Sequence, residues 1–104
     1  MQKVNILGVE YTIEYGSDIE AAGETDYSTK LIRITKRLDK EFEGSCEDII
    51  TLRNFIVRHE IIHAMMFEGG IWENNNDIHN EETVDWIALQ YSKMNKIFTE
   101  LEIN

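Results

Sequence analysis

From Ser45 to Glu68 the chain contains neither glycine nor proline, and its apolar residues recur with a helical period. Ile49, Leu52, Phe55, Ile56, Ile62 and Met66 fall on one stripe, and His59 and His63 fall on it too. A period near 3.6 puts one side of a helix in a core and leaves the other in water. Ser45, with Asp48 three residues on, resembles a capping box with a shortened acid, and Gly69-Gly70 supplies a stop. The spacing predicts a helix from about Cys46 to Glu68. The rest of the chain must cover its apolar stripe. Without a glycine or proline to bend it, this helix holds whatever it carries rigidly.

Upstream the period changes to two. Residues 2–7 alternate imperfectly, Gly8 interrupts, and Val9, Tyr11, Ile13 and Tyr15 then share one side opposite Glu10, Thr12 and Glu14. This predicts a β-hairpin with a tight turn near Gly8, closed by Gly16-Ser17-Asp18. Residues 18–28 read as a crossing loop. Tyr27 to Lys36 reads as a strand, with Ile32 and Ile34 on one face and Thr29, Leu31, Arg33 and Thr35 on the other. The polar face suits an edge strand or one exposed on one side. Residues 37–44 read as a charged loop. Beyond the long helix, residues 69–79 form a polar loop around Asn74-Asn75-Asn76-Asp77. Asn80 then caps a last helix whose first turn carries Glu81 and Glu82. Val84, Ile87, Ala88, Tyr91 and Met94 make its apolar face, to about Phe98.

A length of 104 residues and 42% hydrophobic composition allow one domain, residues 1–104, with one modest core. No apolar run reaches the eighteen or so residues of a membrane span, and residues 1–8 do not read as a signal peptide. The single cysteine, Cys46, has no internal partner and suits a reducing compartment. A soluble cytoplasmic protein is expected. The formal charge of −10 argues against a nucleic-acid backbone or an anionic membrane surface as partner. Basic or neutral partners meet less repulsion.

The long helix carries its chemistry in His59-Glu60-Ile61-Ile62-His63. Two histidines four apart lie one above the other on a helix, so both imidazoles reach one metal ion from the same side. A catalytic zinc takes three protein ligands and keeps an open position. The intervening Glu60 points to another azimuth, where it takes a proton from water rather than binding the metal. A third ligand has to come from elsewhere. The downstream candidates are Glu68, Glu73, Asp77, His79, Glu81, Glu82 and Asp85. Glu81 and Asp85 are four apart on the last helix and share a face. Glu81 is thus ahead of Glu82 as the ligand, with Asp85 accepting a hydrogen bond from the outer nitrogen of a ligating histidine. The spacing that would make His79 a third histidine ligand fails, and His79 reads as a loop or site-rim residue.

His59-Glu60-x-x-His63 followed by Asn80-Glu81-x-x-x-Asp85 resembles the paired signature of the gluzincins, the thermolysin-like zinc peptidases. The resemblance implies His59, His63 and Glu81 as zinc ligands, Glu60 as general base and Asp85 as the partner of a ligating histidine. The sequence is also similar to small intracellular peptidases of the ImmA/IrrE type and to minimal gluzincins of phage and mobile elements. In those, a Glu, an Asn or Asp four later and an Ala three beyond follow the motif helix, as Glu81, Asp85 and Ala88 do here. The likeness covers roughly residues 55–91, and the preceding sheet is similar only in the order of its elements. In such folds a strand before the motif helix holds the substrate peptide extended, which assigns that role to Leu31, Ile32, Arg33, Ile34 and Thr35. A chain this much shorter than thermolysin is expected to lack its C-terminal lobe. For the group that stabilises the oxyanion, Arg33 and Tyr91 are the candidates.

The expectation is therefore an α+β, zincin-like domain with a small mixed or antiparallel N-terminal sheet packed on the motif helix and a C-terminal helix. Its expected activity is zinc-dependent hydrolysis of a peptide bond in a peptide or protein substrate. The alternatives are a catalytically silent, zinc-containing regulatory module that binds a partner on the same scaffold, and an interaction protein whose histidines are merely packed. Trp72 and Trp86 are expected to be buried, with a peptide groove or a dimer contact as their other uses.

Overall fold

The computed structural model of the chain describes residues 1–38, 49–72 and 77–104. Four strands, β1 (Gln2–Ile6), β2 (Val9–Ser17), β3 (Gly23–Asp26) and β4 (Leu31–Thr35), precede two helices, α1 (Ile49–Glu68) and α2 (Glu81–Glu100). The Ser45–Asp48 cap, Cys46, the loop end at Gly44 and Asn74 to Asn76 lie outside the described residues.

β1 and β2 form the expected hairpin, antiparallel and in register from Gln2 opposite Ile13 to Ile6 opposite Val9. Its two-residue turn is Leu7-Gly8, both with positive φ, at 51° and 90°. A turn of this hand matches the twist of the strands it joins. The Asn5 side chain accepts the Gly8 N–H at 2.8 Å.

The sheet order is β1-β2-β4-β3. β4 runs parallel to β2 and antiparallel to β3, so the sheet is mixed. β3 occupies part of the stretch expected to be a crossing loop. Gly-Glu-Thr-Asp has little intrinsic strand preference, and it is pairing with β4 that makes it a strand. Tyr27 to Lys30, expected to open the next strand, instead form the turn between β3 and β4. Asp26 Oδ1 accepts the Ser28 N–H at 3.0 Å and the Ser28 hydroxyl at 2.6 Å, and Lys30 takes a positive φ of 57°. β4 is therefore not an edge strand: both its edges are paired, and the edge belongs to β3.

One face of the sheet is apolar, and α1 lies across it. Ile6, Tyr11, Ile13, Ile32 and Ile34 meet Ile56 and Ala64 of α1 in one core, joined by Leu38 from the stretch expected to be a charged loop. Burying an isoleucine of this kind stabilises the fold by about 1.5–3 kcal/mol. At its C-terminal end α1 is tied to the sheet through Glu68, which accepts the Tyr11 hydroxyl at 2.6 Å and pairs with Lys30 at 2.8 Å.

α1 stops as its glycines require. Gly70 has φ 85°, and the Ile71 N–H donates to the Met66 carbonyl at 2.7 Å while the Gly70 N–H reaches Phe67. This is a Schellman closure with glycine at the left-handed position. α2 begins at its expected cap, the Asn80 side chain accepting the Thr83 N–H at 2.9 Å. It packs along α1 through buried Val84 and Ala88, and Arg58 of α1 donates to the Ala88 carbonyl at 3.0 Å. Trp72 and Trp86, expected to be buried, are 46% and 58% exposed. Among the described residues no helix is long and apolar enough to cross a membrane.

Candidate metal centre

Near its middle α1 presents His59, Glu60 and His63 to the cleft between itself, β3 and the start of α2. Helical spacing brings the two imidazoles together edge to face, with their Nε2 atoms 3.1 Å apart. Because Asn80 starts α2 at the mouth of this cleft, Glu81 is the first helical residue and faces both histidines. Its Oε2 lies 3.0 Å from His59 Nε2 and its Oε1 2.9 Å from His63 Nε2. Asp85, one turn further, meets the other side of His59, with Oδ1 2.7 Å from Nδ1. Glu82 is exposed and Glu68 is engaged with Tyr11 and Lys30. Asp77 is exposed, and Glu73 lies outside the described residues.

His79 is not a rim residue. It is only 1% exposed, its Nε2 sits 2.7 Å from His63 Nδ1, and its Nδ1 sits 2.7 Å from the Ile71 carbonyl. A carbonyl has no proton to give, so His79 Nδ1 carries the hydrogen. When that ring is uncharged its Nε2 is an acceptor, to which His63 Nδ1 donates. By the same reasoning the Asp85 carboxylate takes the Nδ1 hydrogen of His59. With both rings uncharged, as metal ligation requires, the two Nε2 atoms would present lone pairs beside the Glu81 carboxylate.

Nitrogens and carboxylate oxygens at 2.9–3.1 Å are held together by a positive charge among them, a proton on one ring or a metal ion between them. Ligands held at about 2.0–2.1 Å around a tetrahedral ion stand roughly 3.3 Å apart; the two Nε2 atoms are 3.1 Å apart, and each faces a different oxygen of Glu81. His59, His63 and Glu81 thus form a group able to hold a metal ion, their ligand atoms all within 4.8 Å of one another.

Glu60 is 5% exposed, although its sequence position gave no apolar reason for burial. Thr25 of β3 accounts for half of its environment, its hydroxyl lying 2.8 Å from Oε1. Oε2 is turned toward the cluster, 3.8 Å from His59 Nε2. Gly23 accounts for the other half. A Cβ there would stand 2.9 Å from both Glu60 Cγ and Ile56 Cγ2, so β3 can approach α1 this closely only with glycine. Burial raises the Glu60 carboxyl above its ordinary value, the Thr25 hydrogen bond and His59 pull it down, and the nearby carboxylates of Glu81 and Glu24 push it up again.

The cleft has a volume of about 510 Å³. Ala21, Ala22, Leu52, Phe55 and Ile56 give it an apolar wall beside the carboxylates. None of Leu31 to Thr35 lines it; the strand that does is β3, through Gly23, Glu24 and Thr25. Arg33 is paired with Glu24 at 2.8 Å and Tyr91 is 54% exposed, and neither reaches the lining. Thr25 and Gly23 are the residues that sequence reasoning passed over, and the burial of His79 against His63 is the role it missed. Only His79 left a signal, as the one histidine outside the motif. Comparison with protein-family models, with curated proteins and with solved structures gives no match.

Proposed function

We propose that this chain is a zinc-dependent peptidase of a minimal, gluzincin-like and zincin-like kind. The observation that carries the reading is the convergence of His59 Nε2, His63 Nε2 and the Glu81 carboxylate beside the buried, singly anchored carboxylate of Glu60. Two imidazoles and one carboxylate are a donor set that suits zinc and leaves a position open. When bound, zinc supplies Lewis acidity toward water and toward a carbonyl oxygen.

The chain's own residues do the rest. Thr25 holds Oε1 of Glu60, so Oε2 is the atom free to accept a proton from the attacking water. As the water oxygen bonds to the carbonyl carbon and the C–N bond breaks, Glu60 returns that proton to the leaving amine. Burial lifts the carboxyl above its ordinary value, which makes it a stronger base for the water proton. Asp85 keeps the His59 ring in one tautomer. With both edges of β4 paired, the role of holding an extended peptide passes to the free edge of β3, along Gly23 to Thr25 at the cleft wall. The carboxylates around the cleft favour a neutral or basic peptide.

The described lining holds no arginine, lysine or tyrosine to meet an oxyanion. That observation favours a second reading, a zinc-containing module that binds a partner without cleaving it. One experiment separates the two. Zinc content by elemental mass spectrometry should be near stoichiometric in wild type and Glu60→Gln and lost in Glu81→Ala. Hydrolysis of a peptide library should then fall about 10²–10⁴-fold in Glu60→Gln. Equal products from wild type and Glu60→Gln would sink the peptidase reading, and a wild type without zinc would sink both.

A further inference from the structure

The two histidines of the cluster are held from behind by unlike groups. His59 has a carboxylate, Asp85, at its Nδ1. His63 has a second imidazole, His79, which in turn rests on the main-chain carbonyl of Ile71. Carboxylates, carbonyls and water are the usual outer partners of a metal-bound histidine; an imidazole acting as relay to a carbonyl is a different construction. Every link of this chain is short, at 2.7 Å, and its middle member is almost wholly buried. Phe67 packs against the His79 ring with centroids 4.9 Å apart and leaves it little freedom to turn.

The position of each link in the fold gives the relay a second consequence. Ile71 is the residue whose N–H closes the Schellman turn at the end of α1. His79 immediately precedes Asn80, the cap that starts α2, and Glu81 is the first residue of that helix. The hydrogen bond from His79 to Ile71 therefore ties the exit of one helix to the entrance of the next, across the connection between the two ligand-bearing segments.

We propose that His79 is the positioning residue of the metal centre: its ring fixes His63 as the tautomer whose hydrogen is on Nδ1 and, by gripping Ile71, sets where α2 begins and so where Glu81 falls. The proposal rests on the metal-centre reading above. Three properties follow. The Nε2 acceptor of His79 is the feature that His63 needs. A glutamine, whose Oε1 can accept from His63 Nδ1, restores it. A leucine fills the space and restores nothing.

The test has a part without metal and a part with it. In metal-free wild type, long-range ¹H–¹⁵N spectra of the imidazoles should show His63 as the Nδ1–H tautomer. Zinc affinity, measured by competition with a chromophoric chelator at a temperature where each variant is folded by circular dichroism, should fall about 10–100-fold in His79→Leu. It should stay within about threefold of wild type in His79→Gln. A merely structural histidine would lower the unfolding midpoint in both variants and leave the affinity of the folded protein unchanged. Wild-type zinc binding with equal affinity in His79→Leu overturns the role of His79 and leaves the metal centre standing. So does a metal-free His63 in the Nε2–H tautomer, or a His79→Gln as weak as the leucine variant is expected to be; these two decide the matter if His79→Leu does not fold. A wild type that takes up no zinc overturns both.

Discussion

Gly23 carries no side chain because Glu60 and Ile56 occupy the space one would need. A methyl there must push α1 from β3 or turn the Glu60 carboxylate off Thr25. Overpacking of this kind costs about 1–3 kcal/mol, so Gly23→Ala should lower the urea midpoint by a corresponding amount. An unchanged midpoint would mean that β3 and α1 are not in the close contact described. At this scale the sequence was most informative where the chemistry is local. The motif spacing marked His59, Glu60 and His63, and the helical spacing of Glu81 and Asp85 picked them from seven acids and histidines; the structure brings all five together. It was silent where a residue's partner lies across the fold. Thr25 and Gly23 sit in a strand with no period, and the group that His79 Nδ1 bonds is a main-chain carbonyl, which leaves no mark in any sequence.

Among the elements, the hairpin, the motif helix and the capped last helix were legible because their signals are internal: a period of two, a period of 3.6, an asparagine before two glutamates. β3 was not, since its strand character comes from pairing with β4 rather than from its own residues. The same cause rules out the edge position for β4, one of the two placements its polar face suited. The apolar face of α2 was legible only in part. Val84 and Ala88 are buried against α1, whereas Tyr91, on the same stripe, is exposed. The β1–β2 turn holds one anomaly. Leu7 adopts a φ of 51°, a region that costs an ordinary residue roughly 1–2 kcal/mol, and its side chain is 60% exposed. Asparagine tolerates this conformation and is favoured ahead of glycine in such a turn. Leu7→Asn should therefore stabilise the protein by about 0.5–1 kcal/mol in a urea titration. A loss of stability instead would show that the leucine side chain contributes more than its backbone strain costs.

Over the whole molecule, the tie between Tyr11, Glu68 and Lys30 links stability to pH at both ends of the scale. Burial, and then the Glu68 carboxylate, raise the Tyr11 hydroxyl well above its ordinary value. The folded protein thus keeps the proton where the unfolded chain loses it. The contribution is intact below about pH 10, where the free phenol begins to ionise, and is lost as the pH rises past it. Glu68 is lowered, first by Lys30 and then by Tyr11. Its contribution is intact above the usual glutamate value of about 4.3 and is lost as the pH falls below it. Tyr11→Phe should be less stable than wild type at neutral pH, and the gap should narrow above about pH 10, as read from urea midpoints across the range; a gap of constant width would contradict the shift. The mixed sheet has a further consequence, in the order of events. Each hairpin joins neighbours in sequence, β1 with β2 and β3 with β4, whereas β2 meets β4 only after the chain has travelled out through β3 and back. Closing that larger loop carries the greater entropic cost. Until the parallel seam zips, Ile13 and Ile32 remain open to other chains, and a nascent copy is most vulnerable to aggregation in that interval.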